Sequence, residues 1–421
     1  MMNIKMKITF RLRPSRFREG GIFLALLLGF SWTSQGQQLE TYIEEAIGNN
    51  PNIQAVEKRY AIATEKISES RSLPNTDFSA GYMLGKEEMP TMWQGELSVM
   101  QMLPWFGTIP AREKYAMAMA EADFLEIEIE KRRIIRDLSQ AYFRLYEIAK
   151  KQEVFDSNIQ LLQVYEQMAL TSVEVGQASA VSVLRLQMRQ NDLLEKKEVL
   201  EQEYAAELTV FNTIMNRDKV ENIAIVDSLI IPESDTEIDF ERLNLHPELT
   251  KFEQLNHVVS QADALNKKES APQLGVGMEY MYFTEMPDMV MPMVSISIPI
   301  FNKKYKSISR QNKLRYEELD IQKQAVQNTL LTQLQTAIRN RNAARIRLET
   351  QDKNLRDAAN ATEILFKNYE TGTIDFREVL DVQELQLQFQ LSRIEAIGDY
   401  FKQTSIIDYY INLTGLEHDK N

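Results

Sequence analysis

Residues 273–301, QLGVGMEYMYFTEMPDMVMPMVSISIPIF, decide how this chain is read. Leu274, Val276, Met278, Tyr280 and Tyr282 alternate with Gly275, Gly277 and Glu279. On the return, Val294, Ile296 and Ile298 alternate with Ser295 and Ser297. A period of two puts successive side chains on opposite faces of a strand, so the stretch predicts two strands and a loop. One face is apolar and the other small or polar, the pattern of a membrane β-barrel wall. Two strands cannot stand alone in lipid, because their edges leave backbone groups unpaired. The rest of the chain must supply more strands.

The same pattern occurs earlier. Asn50-Pro51 and His246-Pro247 each open a helix, and Leu73-Pro74 and Ala271-Pro272 each lead into a strand. The loops share Glu88-Met89-Pro90 and Glu285-Met286-Pro287, and the return strands exit through Leu103-Pro104-Trp105-Phe106 and Ile298-Pro299-Ile300-Phe301. A glycine turn then follows in each half, Val175-Gly176-Gln177 and Thr371-Gly372-Thr373. Landmarks repeating in one order at one spacing are the mark of an internal duplication. The expected organisation is a targeting segment at 1–36, repeat 1 at 37–216, a linker at 217–245, repeat 2 at 246–416 and a tail at 417–421. Each repeat reads helix, strand, loop, strand, long helix, glycine turn, long helix. The linker is expected to carry one short strand or helix against the outside of the long helices.

Residues 112–173 contain neither proline nor glycine, which predicts roughly 90 Å of helix at 1.5 Å per residue. Val326, Leu330, Leu334 and Ile338 form one apolar stripe, and Leu380, Leu387, Leu391 and Ile394 another. Helical periodicity alone is equally compatible with a secreted coiled-coil structural protein; the paired hairpins are what that reading leaves unexplained.

Composition narrows the function. The chain has 421 residues, a net charge of −13 and no cysteine. Its acidity argues against nucleic acid. Lack of cysteine removes disulfides, thiolate metal sites and cysteine nucleophiles. With three histidines and no phosphate loop or Ser-His-Asp pattern, neither an enzyme nor a resident cofactor is expected. Arg11, Arg13, Arg16 and Arg18 precede the apolar run Gly21–Phe30. That run is too short to span a bilayer, which favours a signal peptide cut near Gln37 over a membrane anchor. No other stretch reaches 18 apolar residues, so a membrane crossing here needs strands. Methionine is frequent, 19 in all, and gathers at the hairpins. Thioethers bind soft Cu(I), but methionine is also an adaptable apolar filler, and no metal ligand is assigned.

Four strands per chain cannot close a barrel, whereas three chains give twelve. Ser79, Gly81, Ser98, Gly275, Gly277, Ser295 and Ser297 would then line water. Phe78, Tyr82, Leu97, Val99, Val276, Tyr280, Val294, Ile296 and Ile298 would meet lipid, with Tyr82, Trp93, Trp105, Tyr280 and Tyr282 suited to the interfacial girdle.

The duplication, the hairpins, the proline exits and the turn Tyr369-Glu370-Thr371-Gly372-Thr373 with Val379-Leu380-Asp381 together resemble the TolC-like outer-membrane efflux channels, over nearly the whole mature chain. The resemblance implies a mainly α fold with a membrane β-barrel: a homotrimeric, 12-stranded barrel continued by a long periplasmic α-helical barrel, two repeats per chain. It implies an outer-membrane location, periplasmic adaptor (membrane fusion) proteins and an inner-membrane pump as partners, and a passive exit duct for metal cations or drugs, with the heavy-metal branch somewhat closer. An exit duct for type I protein secretion shares the same fold. By position, the resemblance implies an acidic ring from Glu378 and Asp381 and a gating role for Tyr369. Ile374 stands where a gating arginine is expected, and the first repeat offers Ser182 and Arg185 in place of the acidic pair. The turns at Gly176, Gln177, Gly372 and Thr373 are the candidate adaptor contacts.

Overall fold

A computed structural model describes residues 34–84, 94–176, 179–284, 286–371 and 373–411. The expected targeting segment before residue 34, the Glu88-Met89-Pro90 loop, Trp93, Gln177, Glu285, Gly372 and the tail 417–421 lie outside the described residues. The elements run α1 (Ser34–Asn49), α2 (Pro51–Ser70), β1 (Thr76–Tyr82), β2 (Gly95–Leu103), α3 (Thr108–Glu174), α4 (Ala180–Ile214), a short 3₁₀ turn (Phe240–Leu245), α5 (Pro247–Glu269), β3 (Gln273–Tyr282), β4 (Met289–Ser297), α6 (Lys304–Glu370) and α7 (Phe376–Ile411). The order α2-β1-β2-α3-α4 recurs as α5-β3-β4-α6-α7, and α3 and α6 are each 67 residues long.

Each half opens in the same way. Pro51 and Pro247 occupy the first helical turn, where a missing N–H costs nothing, behind the side-chain caps Asn50 and His246. Asn50 Oδ1 accepts from Asn52 N at 2.8 Å, and its Nδ2 donates to the Ile214 carbonyl at 2.7 Å. The cap thereby ties the start of α2 to the end of α4. The prolines at 104 and 299 stop the sheet, and the long helices follow.

Helix α1 departs from the expectation, which placed no helix before Asn50. Its Leu39, Tyr42, Ile43 and Ile47 pack on a core of Ile53, Leu138, Tyr142, Leu145, Phe211 and Met215. Each such aliphatic side chain contributes about 1.5–3 kcal/mol when fully buried. The linker holds one 3₁₀ turn and no strand among its described residues. It lies extended against the helices, with Val226 N donating to Tyr142 Oη at 3.1 Å and Leu229 N to Tyr146 Oη at 3.3 Å. A second core at the far end joins Phe155, Leu162, Tyr165, Leu186, Leu193, Phe376, Val379 and Leu387.

Helices α3 and α7 are pinned midway by the buried carboxylate of Glu147, which lies 2.9 Å from Lys151 and 3.0 Å from Lys402; Lys151 continues to Glu395 at 2.7 Å. Burial alone would raise the Glu147 carboxyl, but the two ammonium groups outweigh it and hold the group ionised.

The four strands form one antiparallel sheet in the order β1-β2-β3-β4. Each hairpin pairs with itself, and β2 pairs with β3 to join the halves. Ile298 is a correction. It sits one residue past β4, because Pro299 has no N–H for the ladder and the Ile300 N–H turns back to the Ile298 carbonyl at 2.9 Å.

Candidate functional site

Two places in this fold gather the candidate residues: the faces of the sheet and the far tip of the helices. The register settles the faces. Phe78, Val99, Met278 and Pro292 stand in one cross-strand row; Ala80, Leu97, Tyr280 and Val290 stand in the next. Val276 opposes Val294, and Leu274 opposes Ile296, on that same face. These side chains are exposed in the single chain: Phe78 at 80 %, Val294 at 75 %, Ile296 at 59 %. An apolar face this bare has no protein partner within the chain, whereas the sequence would normally bury it. Tyr82, Tyr280 and Tyr282 cluster toward one end of the face.

The opposite face carries Ser79, Ser98, Glu279 and Met291 in one row, then Gly81, Glu96, Met281 and Met289 in another. Glycine is needed at 277 by close approach, since a Cβ there would stand 2.5 Å from the Val99 carbonyl oxygen. A Cβ on Gly81 or Gly275 would meet the movable ends of Glu96, at 2.8 Å, and Ser295, at 2.3 Å. The outer strands β1 and β4 present open edges, which lipid does not tolerate.

The tip is built from the ends of α3 and α6 and the starts of α4 and α7. Gly176 takes a φ of 75°, the left-handed conformation that turns the chain out of α3, and its N–H bonds the Val173 carbonyl at 3.0 Å. Ser179 then caps α4. In the second turn the Asn368 carbonyl accepts from Thr373 N at 3.0 Å, Thr373 Oγ at 2.7 Å and Thr371 Oγ at 2.9 Å. Asp375 Oδ1 accepts from Arg377 N at 2.8 Å and starts α7. Of the expected adaptor contacts, Gly176 and Thr373 are therefore exposed turn residues; Gln177 and Gly372 lie outside the described residues.

Tyr369 is half-buried, with its ring 5.0 Å from that of Phe376 and its hydroxyl 3.4 Å from Ser172 Oγ on α3. It thus links the two turns. Ile374 packs into the tip core beside it. Burial pushes the neighbouring Tyr165 hydroxyl up to about 12, so it remains a neutral part of that core.

Glu378 and Asp381 lie one turn apart on the exposed surface of α7. Asp381 is not surrounded by acid alone. Arg377 Nε is 3.9 Å away, and Arg185 and Arg189 of α4 line the same groove, where Arg189 pairs with Glu384 at 2.9 Å. Sequence reasoning named Arg185 only as the first repeat's counterpart of the acidic pair and missed Arg377, Arg189 and Ser172, because all but Arg377 reach α7 or α6 from another helix. Among the described residues no group of three His, Asp or Glu side chains could hold a metal, and no helix is long and apolar enough to cross a membrane.

Residues 258–404 match the model of the outer membrane efflux protein family. No curated protein matches the chain. Among solved structures, the outer-membrane channel OprN aligns with a TM-score of 0.76 at 16 % identity, covering 89 % of this chain and 90 % of that one. The outer membrane protein VceC of Vibrio cholerae aligns with a TM-score of 0.72 at 15 % identity, over 90 % and 97 % of the two chains. The CmeC outer membrane channel of Campylobacter jejuni gives 0.73 at 13 % identity, over 89 % and 85 %. Residues 258–404, about a third of the chain, match the outer membrane efflux protein model, and the chain as a whole has the fold of solved outer-membrane channels.

Proposed function

We propose that this chain is one third of an outer-membrane exit duct: a homotrimer whose twelve strands close a barrel in the outer membrane and whose helices reach into the periplasm. The observation that carries the reading is the sheet. Its apolar face is bare, its opposite face is polar, and its two edges are open, so a single copy is unstable in lipid while a closed ring is not. Val276, Tyr280, Val294 and Ile296 contact lipid, with Ile298 at the barrel's foot. The recurring element order supports a duplication, with 37–216 and 246–416 as its copies and 217–245 as the strap between them.

The duct acts passively. An inner-membrane pump, reached through periplasmic adaptor proteins, delivers the cargo, with the turns around Gly176, Gln177, Gly372 and Thr373 as the adaptor contacts. At the tip, Tyr369 restrains the entrance, and Glu378 and Asp381 from three copies favour cations there. Arg377, Arg185 and Arg189 temper that ring at Asp381. Nothing in this arrangement calls for catalysis.

Fractionation tests the reading. The protein should sit in the outer membrane, resist carbonate extraction and run as a trimer in mild detergent. Recovery as a water-soluble monomer would replace the duct with a secreted coiled-coil protein.

A further inference from the structure

Methionine is distributed unevenly over the two faces of the sheet. Of the seven methionines in the four strands, Met278 alone belongs to the apolar face. Met100, Met102, Met281, Met289, Met291 and Met293 all share the polar face. If methionine served only as apolar filler, it would serve on the face that meets lipid, where this chain instead uses Val, Ile, Leu, Phe and Tyr. Facing water it is unfavourable, at about 0.8 kcal/mol for each methylene left unburied.

Two of these sulfurs converge, and register brings a third methionine beside them. Met100 stands in register with Gly277, and Gly277 with Met293, so the glycine leaves a gap between two thioether side chains. A Cβ on Gly277 would stand 3.0 Å from Met100 Sδ. A Cβ on Gly275 would stand 2.8 Å from Met102 Sδ and 3.1 Å from Met100 Sδ, so both sulfurs lean over the same glycine. Ser295 Oγ–H points to Met100 Sδ at 3.9 Å. The charges on this face have one sign. Asp77 opposes Met100 directly, Glu279 opposes Met291 and Glu96 opposes Met281. The four strands contain no lysine or arginine.

We propose that Met100, Met102 and Met293 form a binding site for a soft monovalent cation, Cu(I) or Ag(I), on the inner wall of the barrel. Thioethers are neutral, polarisable donors that select such ions over hard divalent ones. The carboxylates beside them balance the ion's charge without competing as preferred ligands. The methionines higher on β4 offer further weak sites along the wall, so an ion can leave as readily as it enters. This deepens the duct reading and rests on it: soft cations become a cargo class that the wall itself recognises.

The test uses the detergent-solubilised full-length protein and Ag(I), with Mg(II) as the hard-ion control. Wild type should retain Ag(I) after desalting and not Mg(II). A variant carrying Met100→Leu, Met102→Leu and Met293→Leu keeps the apolar bulk and should bind Ag(I) about tenfold more weakly or worse, while running as a trimer. No Ag(I) binding by wild type, or equal binding by the trimeric leucine variant, overturns the site. K⁺ conductance of wild type in planar bilayers is read separately. Silver binding without conductance would fault the duct and leave the site standing; conductance without silver binding would do the reverse.

Discussion

Leu97 of β2 stands directly opposite Tyr280 of β3, on the strand seam that joins the two halves of the chain. Its neighbour Ser98 faces the other way, opposite Glu279. The pair gives a clean discrimination. Leu97→Arg places a charge on the lipid face in the girdle row of Tyr280, where the cost is about 0–1 kcal/mol per site against about 2–4 at the bilayer centre, and should lower the yield of heat-resistant trimers in the outer membrane. Ser98→Arg should assemble normally. Equal assembly of both variants would reverse or erase the assignment of faces.

Removing the tip hydroxyl tests the restraint between the turns. Tyr369→Phe deletes the contact with Ser172 Oγ but keeps the ring on Phe376. A neutral hydrogen bond contributes about 1 kcal/mol, so single-channel records should show an open fraction raised several-fold. Unaltered gating in planar bilayers would take Tyr369 out of the gate.

Glu378→Gln with Asp381→Asn removes the acidic pair. Reversal potentials across a KCl gradient should move toward zero as cation preference falls. Because Arg377, Arg185 and Arg189 crowd Asp381, Glu378→Gln alone should account for most of the change. A preserved reversal potential in the double variant would discard the ring.

His246 supplies a pH dependence. Burial is the main cause that depresses its imidazole to about 4; Arg132 adds to the shift, while Glu248 opposes it. The ring packs on Tyr409 and Tyr410, and Nδ1 accepts the Glu248 N–H at 3.3 Å. The fold therefore favours the neutral form. This stability is fully present above about pH 6.5 and is lost as pH falls toward 4, by an amount on the order of 2–3 kcal/mol. His246→Asn keeps a helix cap and should flatten the dependence of the guanidinium midpoint over that window. A wild-type midpoint constant between pH 4.5 and 7 would contradict it.

Much of this architecture could be read from residues alone, for definite reasons. Strand alternation is local, so Leu274–Tyr282 and Val294–Ser297 declare both period and face. The absence of breakers between Arg112 and Val173 declares a long helix. What escaped depends on tertiary contact. Helix α1 has its apolar residues at helical spacing, but the helix is supported by packing on residues remote in sequence, Leu138, Tyr142 and Phe211 among them. The arginines beside Asp381 come largely from α4, far away in sequence. The alternation of Met289, Met291 and Met293 with Val290, Pro292 and Val294 is visible by eye. That Met293 and Met100 flank the same glycine follows only from the pairing of all three strands.

The equal length of α3 and α6 has one more consequence. Two columns of the same height, rising from one sheet, bring their turns to one level, where Tyr369 meets Ser172; in the proposed trimer that would make a flat rim. At 1.5 Å per residue each column is a ruler of about 100 Å. Cutting two heptads from one of them alone would tilt the mouth, whereas matched cuts in both would shorten the reach and keep it flat.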